Sequence, residues 1–473
     1  MASDPGTTSG DRAAGDRTAG DRAAGDRAVW SAGPDGPHGP DGPPGAGEYS
    51  GADLARAKLV DELRDSGRLA SGAIEAAFRA VPRHLFLPDL GAALAYQDEA
   101  FVIKTDEDGL PISSSSQPAI MAIMLEQLGI APGQRVLEIG TGTGYNAALM
   151  SYLVGPHGSV VSVDIDADLV EKARANLVAA GYPGVLLRCG DGGFGAPDYA
   201  PYDRIIVTAG AWDLAPHWLA QLGPAGRIVL PLSVRGIQLC LALERGDGLL
   251  YSRSACRCGF IRMAGTFASP EPIAPLGPQP GWHVQADAGG PMDVAALYAA
   301  LTGPATDVPA GVQVAGLGEL GEADLWITIT EPGLERLTIT GGGTGQGGLL
   351  GGALGGGALP LVPFGALAGS WGLPGPQWDG DFGVAALLPA RELQTPAEYH
   401  YGEFEVVARG FGAQGAALAT SLAAQTAAWQ DAGRPRASAL SVTAYPPGAD
   451  VPPRPGQVIL DRRHTRLALS WPG

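Results

Sequence analysis

Three glycines at alternate positions, Gly140, Gly142 and Gly144, interrupt the apolar run RVLEI and give way to the segment YNAALM. A turn so poor in side chains lets a bound molecule touch the backbone. Glu138 stands two residues before the first glycine, and Thr141 lies between the first two. Further on, Asp164 closes the apolar run VVSVD, where a carboxylate can accept both hydroxyls of a ribose. Asp191 lies in CGDGGFG, where it can accept from an adenine amino group while Gly190 and Gly192 let backbone approach the ring. These are the contacts of a nucleoside. The spacing is GxGxG rather than the GxGxxG of a dinucleotide fingerprint, whose helix start must aim at a pyrophosphate.

A nucleoside without phosphate fits this set better, and S-adenosylmethionine (SAM) is one. Glycine turn, strand-end acid and GDG turn then follow the order of a Rossmann-like, class I methyltransferase. Taken singly, each piece has a plain structural reading. GxGxG makes tight turns, strand-end aspartates cap helices, and Asp191 suits a turn. The inference rests on their order along Glu138–Gly192.

The elements that must position these residues alternate. RVLEIG, SVVSVDID, GVLLRCGD and YDRIIVTAG read as strands, with helices at YNAALMSYLV, ADLVEKARANLVAAG and WDLAPHWLAQLG. Near-continuous apolar strands between helices predict a parallel sheet covered on both faces. GRIVLPL and IQLCLALER are expected to finish it in antiparallel fashion near residue 265. Three helices precede the sheet, the third opening near Ser116. Residues 51–270 are therefore read as the methyltransferase domain. Residues 271–473 are read as a smaller α+β accessory domain, with MDVAALYAALTG a helix, ADLWITIT a strand, and a glycine-rich loop at 341–357. Gly410, Gly412 and Gly415 do spell GxGxxG, but a tight strand-to-helix turn explains them better than a second nucleotide site.

Composition narrows the partners. Thirty-one basic residues face 49 acidic ones, for a net charge of −18, which disfavours nucleic acid and gives no reason to expect a membrane surface. Cys189, Cys240, Cys256 and Cys258 lack zinc-finger spacing, so no metal is expected, and the chain reads as cytoplasmic. Residues 1–50, with GDRAA-type repeats and a Gly/Pro run, read as an unfolded tail. The oligomeric state stays open.

Five stretches resemble one family, the protein-L-isoaspartate O-methyltransferases: AVPRHLFLP, SSSSQPAIMAIMLEQL, VLEIGTGTGYNAALM, GDG and YDRIIVTAGA. They span roughly residues 55–265. The resemblance implies SAM as methyl donor, held at Glu138, Gly140, Thr141, Gly142, Gly144, Asp164, Asp191 and Gly192. It places Ser116 beside the donor and the substrate carboxylate as the catalytic position, with acceptor contacts from Ser115, Gln117, Thr208, Ala209 and Gly210. Ser116 also has a structural reading, as the N-cap of the third helix. The usual glycine-histidine-glycine approach to this serine is replaced here by KTDEDGLPISSS, and the chain runs about two hundred residues past the family's ordinary end. With SSSSQP and RRHTRLALSWP, these features are similar to a peptide-modifying branch associated with lanthipeptide or graspetide biosynthesis. Its members esterify an ordinary aspartate in a cyclised precursor peptide, and the ester collapses to an aspartimide.

An aspartyl carboxylate, with a pKa of about 3.9, is already a nucleophile at neutral pH. No general base is needed, only alignment. Three readings follow: esterification of aspartate in a ribosomally made peptide, repair of isoaspartate in damaged proteins, or a catalytically silent peptide-binding module. His217 is read as a packed or surface residue. Arg462, Arg463 and Arg466 around His464 suit either an acidic peptide or a solvated strand edge.

Overall fold

Ser50 opens the first helix, its hydroxyl oxygen accepting the Asp53 N–H (3.2 Å), and α1 runs Gly51–Asp65. The computed structural model describes residues 50–107, 109–278, 282–286, 293–331, 335–340, 370–372, 383–390 and 402–471. The tail expected at residues 1–50, Ser50 apart, and the glycine run 341–357 lie outside them. Helix α2 (Gly72–Ala80) stops ahead of Pro82, as the residue before a proline disfavours helix. A short α3 (Ala92–Ala95) leads into the hairpin β1 (Phe101–Thr105) and β2 (Pro111–Ser115), a two-stranded sheet of its own. Helix α4 spans Pro118–Leu128 and ends on Gly129 at φ 59°.

The alternating region then forms as its apolar pattern predicts. Strand β3 (Arg135–Ile139), α5 (Tyr145–Val154), β4 (Ser159–Asp164), α6 (Ala167–Ala179), β5 (Leu186–Cys189), β6 (Tyr202–Val207), α7 (Pro216–Gln221) and β7 (Leu222–Val234) follow in turn. Antiparallel β8 (Ile237–Gly246) and β9 (Leu249–Cys258) come next. The parallel part has the order β5-β4-β3-β6-β7. One face packs on α1, α2, α4 and α5 through Val60, Phe78, Leu125 and Leu149; the other buries Trp218, Leu230 and Leu241.

A second, seven-stranded sheet is built from β10 (Ile273–Pro275), β11 (His283–Ala286), β12 (Ala305–Ala315), β13 (Glu335–Thr340), β14 (Ser370–Gly372), β15 (Gly383–Pro389) and β16 (Glu403–Gly412). Helix α8 (Val294–Leu301) covers part of it. Helices α9 (Gly316–Thr330) and α10 (Gly415–Asp431) cover the rest, with Leu320, Ile327, Leu418 and Trp429 in the core. The β16–α10 turn is as tight as its glycines suggest: a Cβ on Gly410 would lie 1.9 Å from the Gly415 carbonyl oxygen.

Three expectations are corrected. ADLWITIT is helical, not a strand. Helix α9 is buried nearly all round, giving Leu325 and Ile329 to the core of the first sheet and Leu320 and Ile327 to that of the second. Burial on every side erases the periodicity that distinguishes helix from strand. Second, GRIVLPL, within β7, pairs parallel to β6, and the sheet does not finish near residue 265. Strands β17 (Ser441–Tyr445), β18 (Val458–Asp461) and β19 (Arg466–Ser470) extend it in the order β9-β17-β19-β18, making ten strands. Third, α4 opens at Pro118, and Ser116 is not its cap. The Asp98 carboxylate takes the Ala119 N–H instead (2.8 Å).

Candidate active site

Strand order reverses between β3 and β6, so the carboxyl ends of these strands border a crevice, the usual ligand position in an open α/β sheet. Gly140–Gly144 follow β3, Asp164 ends β4, Asp191 follows β5 and Thr208 follows β6. All the sequence-derived positions on the sheet thus share one edge. The glycine turn is locked there. Gly140 sits at φ 101°, and a Cβ on it would meet the Thr208 hydroxyl oxygen at 2.5 Å. That hydroxyl donates to the carbonyls of Gly140 (2.7 Å) and Ile139 (3.0 Å). Gly144, at φ 88°, starts α5 where Ala173 and Leu177 of α6 crowd the backbone.

The acids differ in what they do. Glu138 is fully buried, accepting from Ser162 Oγ (2.6 Å) and Asn146 Nδ2 (2.8 Å), while the Ser162 and Thr141 hydroxyls lie 2.7 Å apart. Burial outweighs both hydrogen bonds and pushes its carboxyl up to about 7. It forms the floor beneath the turn. Asp164 accepts from Gly142 N–H (3.0 Å) and Asp166 N–H (3.1 Å), fixing turn and strand end together. Asp191 accepts from Gly193 N–H (2.9 Å) and Thr266 N–H (2.7 Å). Burial raises its carboxyl, but those backbone bonds prevail and hold it below the ordinary range. Each carboxylate oxygen keeps a second lone pair for a ligand. Gly192 is buried, and a Cβ there would strike Ile139 Cγ2 at 2.5 Å.

Ser114 of the serine run lies close to this turn. A Cβ on Gly142 would sit 3.5 Å from the Ser114 carbonyl. Arg83, fully buried, ties down the base of the hairpin: it donates to the carbonyls of Ala95 (2.8 Å), Gln97 (3.1 Å), Glu99 (3.2 Å) and Ser116 (3.0 Å), and to Ser115 Oγ (3.4 Å). Its guanidinium is pulled down to about 10 by burial, so it remains a cation at neutral pH. Gln117 is held through its amide by the Asp98 carbonyl and carboxylate. Ser116 is tied through its carbonyl to Arg83, and its hydroxyl has no hydrogen bond among the described residues.

On the opposite bank, Gly210 pairs with the segment after β9, its N–H donating to Ile261 O (2.8 Å) and its carbonyl accepting Met263 N–H (2.9 Å). Ala209 lies between these anchors. Phe194, His217, Phe267 and His464 form a ring cluster beside Asp191, with centroids 5.0 to 6.2 Å apart. Arg462 stacks on Trp212 and Arg466 pairs with Asp461.

Sequence reasoning missed several residues. Ile165 follows Asp164 with 49% of its surface exposed, an apolar side chain beside the ribose-type acid that suits a flat base. Arg83 lies within AVPRHLFLP, and only its enclosure reveals its work. Lys104, at the hairpin, pairs with Asp166. The backbone-only turn, the two strand-end carboxylates and Ile165 together fit SAM. Among the described residues, no cluster of three or more His, Cys, Asp or Glu suits a metal ion, and no helix is long and apolar enough to cross a membrane.

Topology and edge chemistry define a class I SAM-dependent methyltransferase. Residues 54–267 match the family Protein-L-isoaspartate(D-aspartate) O-methyltransferase. The protein-L-isoaspartate O-methyltransferase of Methanopyrus kandleri is 40% identical over 223 residues, 46% of this chain and 95% of that protein. That of Thermotoga maritima is 42% identical over 198 residues, 41% of this chain and 62% of that protein. A solved protein-L-isoaspartate O-methyltransferase aligns over 82% of this chain and 96% of its own, at 24% identity and TM-score 0.44. The chain belongs to the protein-L-isoaspartate O-methyltransferase family, whose members are SAM-dependent carboxyl methyltransferases.

Proposed function

We propose that this chain esterifies the carboxylate of an isoaspartyl residue in peptides or proteins. The observation that carries this reading is the approach of the Ser114 carbonyl, two residues before Ser116, to Gly142 of the glycine turn, with Thr208 bound to the same turn at Gly140. The segment that carries Ser116 and the acceptor loop therefore both border the glycine turn. SAM, held at Gly140–Gly144, Asp164, Ile165 and Asp191, supplies an electrophilic methyl group. Ser116 is assigned to hydrogen-bond the acceptor carboxylate, and the buried Arg83 cation behind it favours an anion there. No side chain need remove a proton, since the acceptor is already ionised. Orientation and exclusion of water do the rest.

The test is a panel of isoaspartyl and aspartyl peptides with SAM labelled in its methyl group. Label on isoaspartyl peptides of unrelated sequence supports this reading; absence of label there overturns it. Ser116→Ala is expected to cut turnover by roughly 10²-fold, the scale of one lost transition-state hydrogen bond, while calorimetry finds SAM affinity within a factor of two. Equal loss of both would show that the serine only supports the fold.

A second reading has its own observation. The C-terminal segment is seated just past the acceptor loop, through Thr465 and Asp213. Such an attachment suits a dedicated peptide: an ordinary aspartate in a ribosomally synthesised, cyclised precursor, whose ester closes to an aspartimide. Label confined to one such precursor would favour it.

A further inference from the structure

The loop after β6 carries Thr208, Ala209 and Gly210, and its far end is fastened by a part of the chain some 250 residues away. Asp213, only 6% exposed, accepts from Leu214 N–H (2.8 Å), from His464 N–H (2.6 Å) and from the Thr465 hydroxyl (2.5 Å). His464 and Thr465 form the turn between β18 and β19. Beside them, Arg462 reaches over Trp212, its guanidinium carbon 4.4 Å from the ring centroid, and donates to the Ser233 carbonyl (3.2 Å). Ser233 in turn donates its N–H to the Ala211 carbonyl (2.8 Å). The β18–β19 turn thus touches both residues that follow the acceptor loop and the strand that pairs with it.

We propose that this turn sets the conformation of the acceptor loop, and that Thr465, acting through Asp213, is a positioning residue for the peptide substrate. The inference rests on the proposed acceptor role of Thr208–Gly210. Asp213 and Thr465 bond to neither the glycine turn nor Asp164, and the β18–β19 turn approaches the donor side through the His464 ring on Phe267, next to the Thr266 that bonds Asp191. A short buried carboxylate clamp transmits position well: its three donors come from two chain segments, so losing one loosens one segment against the other. Between Thr208 and the clamp, Gly210 is paired with Ile261 and Met263 and Ala211 with Pro231 and Ser233, so a shift of Asp213 reaches the loop through this backbone ladder.

The experiment compares Thr465→Val, which keeps shape but removes the hydroxyl, with Thr465→Ser, which restores it. Three readouts are taken: KM for an isoaspartyl peptide, the dissociation constant of S-adenosylhomocysteine, and amide hydrogen exchange. Thr465→Val is expected to raise the peptide KM roughly fivefold, less than the full worth of a hydrogen bond to a charged group, because Asp213 keeps its other two donors. Nucleoside affinity is expected to stay within a factor of two. Exchange across residues 208–214 should quicken roughly tenfold while β3–β6 remain protected, and Thr465→Ser should restore the native values. A peptide KM and loop exchange both unchanged in Thr465→Val overturn the inference, as does exchange quickened equally throughout the sheet. If the native chain turns over no isoaspartyl or aspartyl peptide, the proposed acceptor is wrong, and the exchange pattern alone then decides whether the turn governs the loop.

Discussion

Glu138 titrates where its enclosure forces it to, not where a glutamate in water would. Its carboxyl, raised to about 7 by burial, sits well above the unfolded value. A raised folded-state pKa contributes stability that is fully present below the unfolded value and is lost as pH climbs through about 7. The native chain is therefore expected to lose stability from this group as pH rises from about 4.5 to about 7, on the order of 3 kcal/mol for a shift of this size. Glu138→Gln, whose oxygen can still accept from Asn146 while its NH2 donates to the Ser162 hydroxyl oxygen, should flatten that decline; melting temperatures across the pH range check it, and an unchanged slope refutes it. The same residue shows what a sequence reveals and what it hides. Gly140, Asp164 and Asp191 could be found from local backbone demands alone. That Glu138 faces Ser162 rather than solvent depends on the register of β3 with β4, which no local pattern records. Ser116 was located by motif, but its freedom from capping depended on Asp98, which arrives from another segment.

At the level of elements, the β1–β2 hairpin is the piece whose order is least assured by its own pairing. Two strands alone are marginal in water, and this pair is held at its base by Arg83 and towards its tip by Lys104 with Asp166 and Asp168. Asp166 also caps α6, immediately past the strand-end Asp164, so the ion pair draws the hairpin over the donor side of the crevice. Lys104→Ala is expected to speed dissociation of S-adenosylhomocysteine roughly two- to fivefold in low salt. The difference should shrink at 1 M salt, where an exposed pair is screened to about 3 Å. Stopped-flow displacement measures both, and a ratio independent of salt would contradict the ion-pair account. Alternating elements of this half were legible because each has one apolar face or a continuous apolar run. Helix α9 was not, because it packs between two cores and shows no solvent face to read.

Across the whole molecule, the two sheets meet at a buried cluster. Asp324 of α9 lies 3.5 Å from Arg257 of β9 and 3.3 Å from Arg336 of β13, and Arg336 also donates to the Gly236 carbonyl (2.8 Å) between β7 and β8. Removing one member of a buried ion cluster leaves charge without compensation and costs about 3–5 kcal/mol. Asp324→Ala is therefore expected to lower the melting temperature of a single calorimetric transition. Two separated transitions would show that the sheets fold independently. The second sheet was foreseeable as an accessory α+β region, but its joining to the first was not, since pairing between distant strands leaves no periodic trace. The insertion of β17 beside β9 has a consequence for how the chain is made. The Ser252 hydroxyl waits for the Val442 N–H, 190 residues downstream. While a ribosome is still delivering those residues, the whole methyltransferase half presents an unsatisfied strand edge, the kind of template on which nascent chains stick to one another. The β9 edge stays open until Ser441–Tyr445 arrive to pair with it.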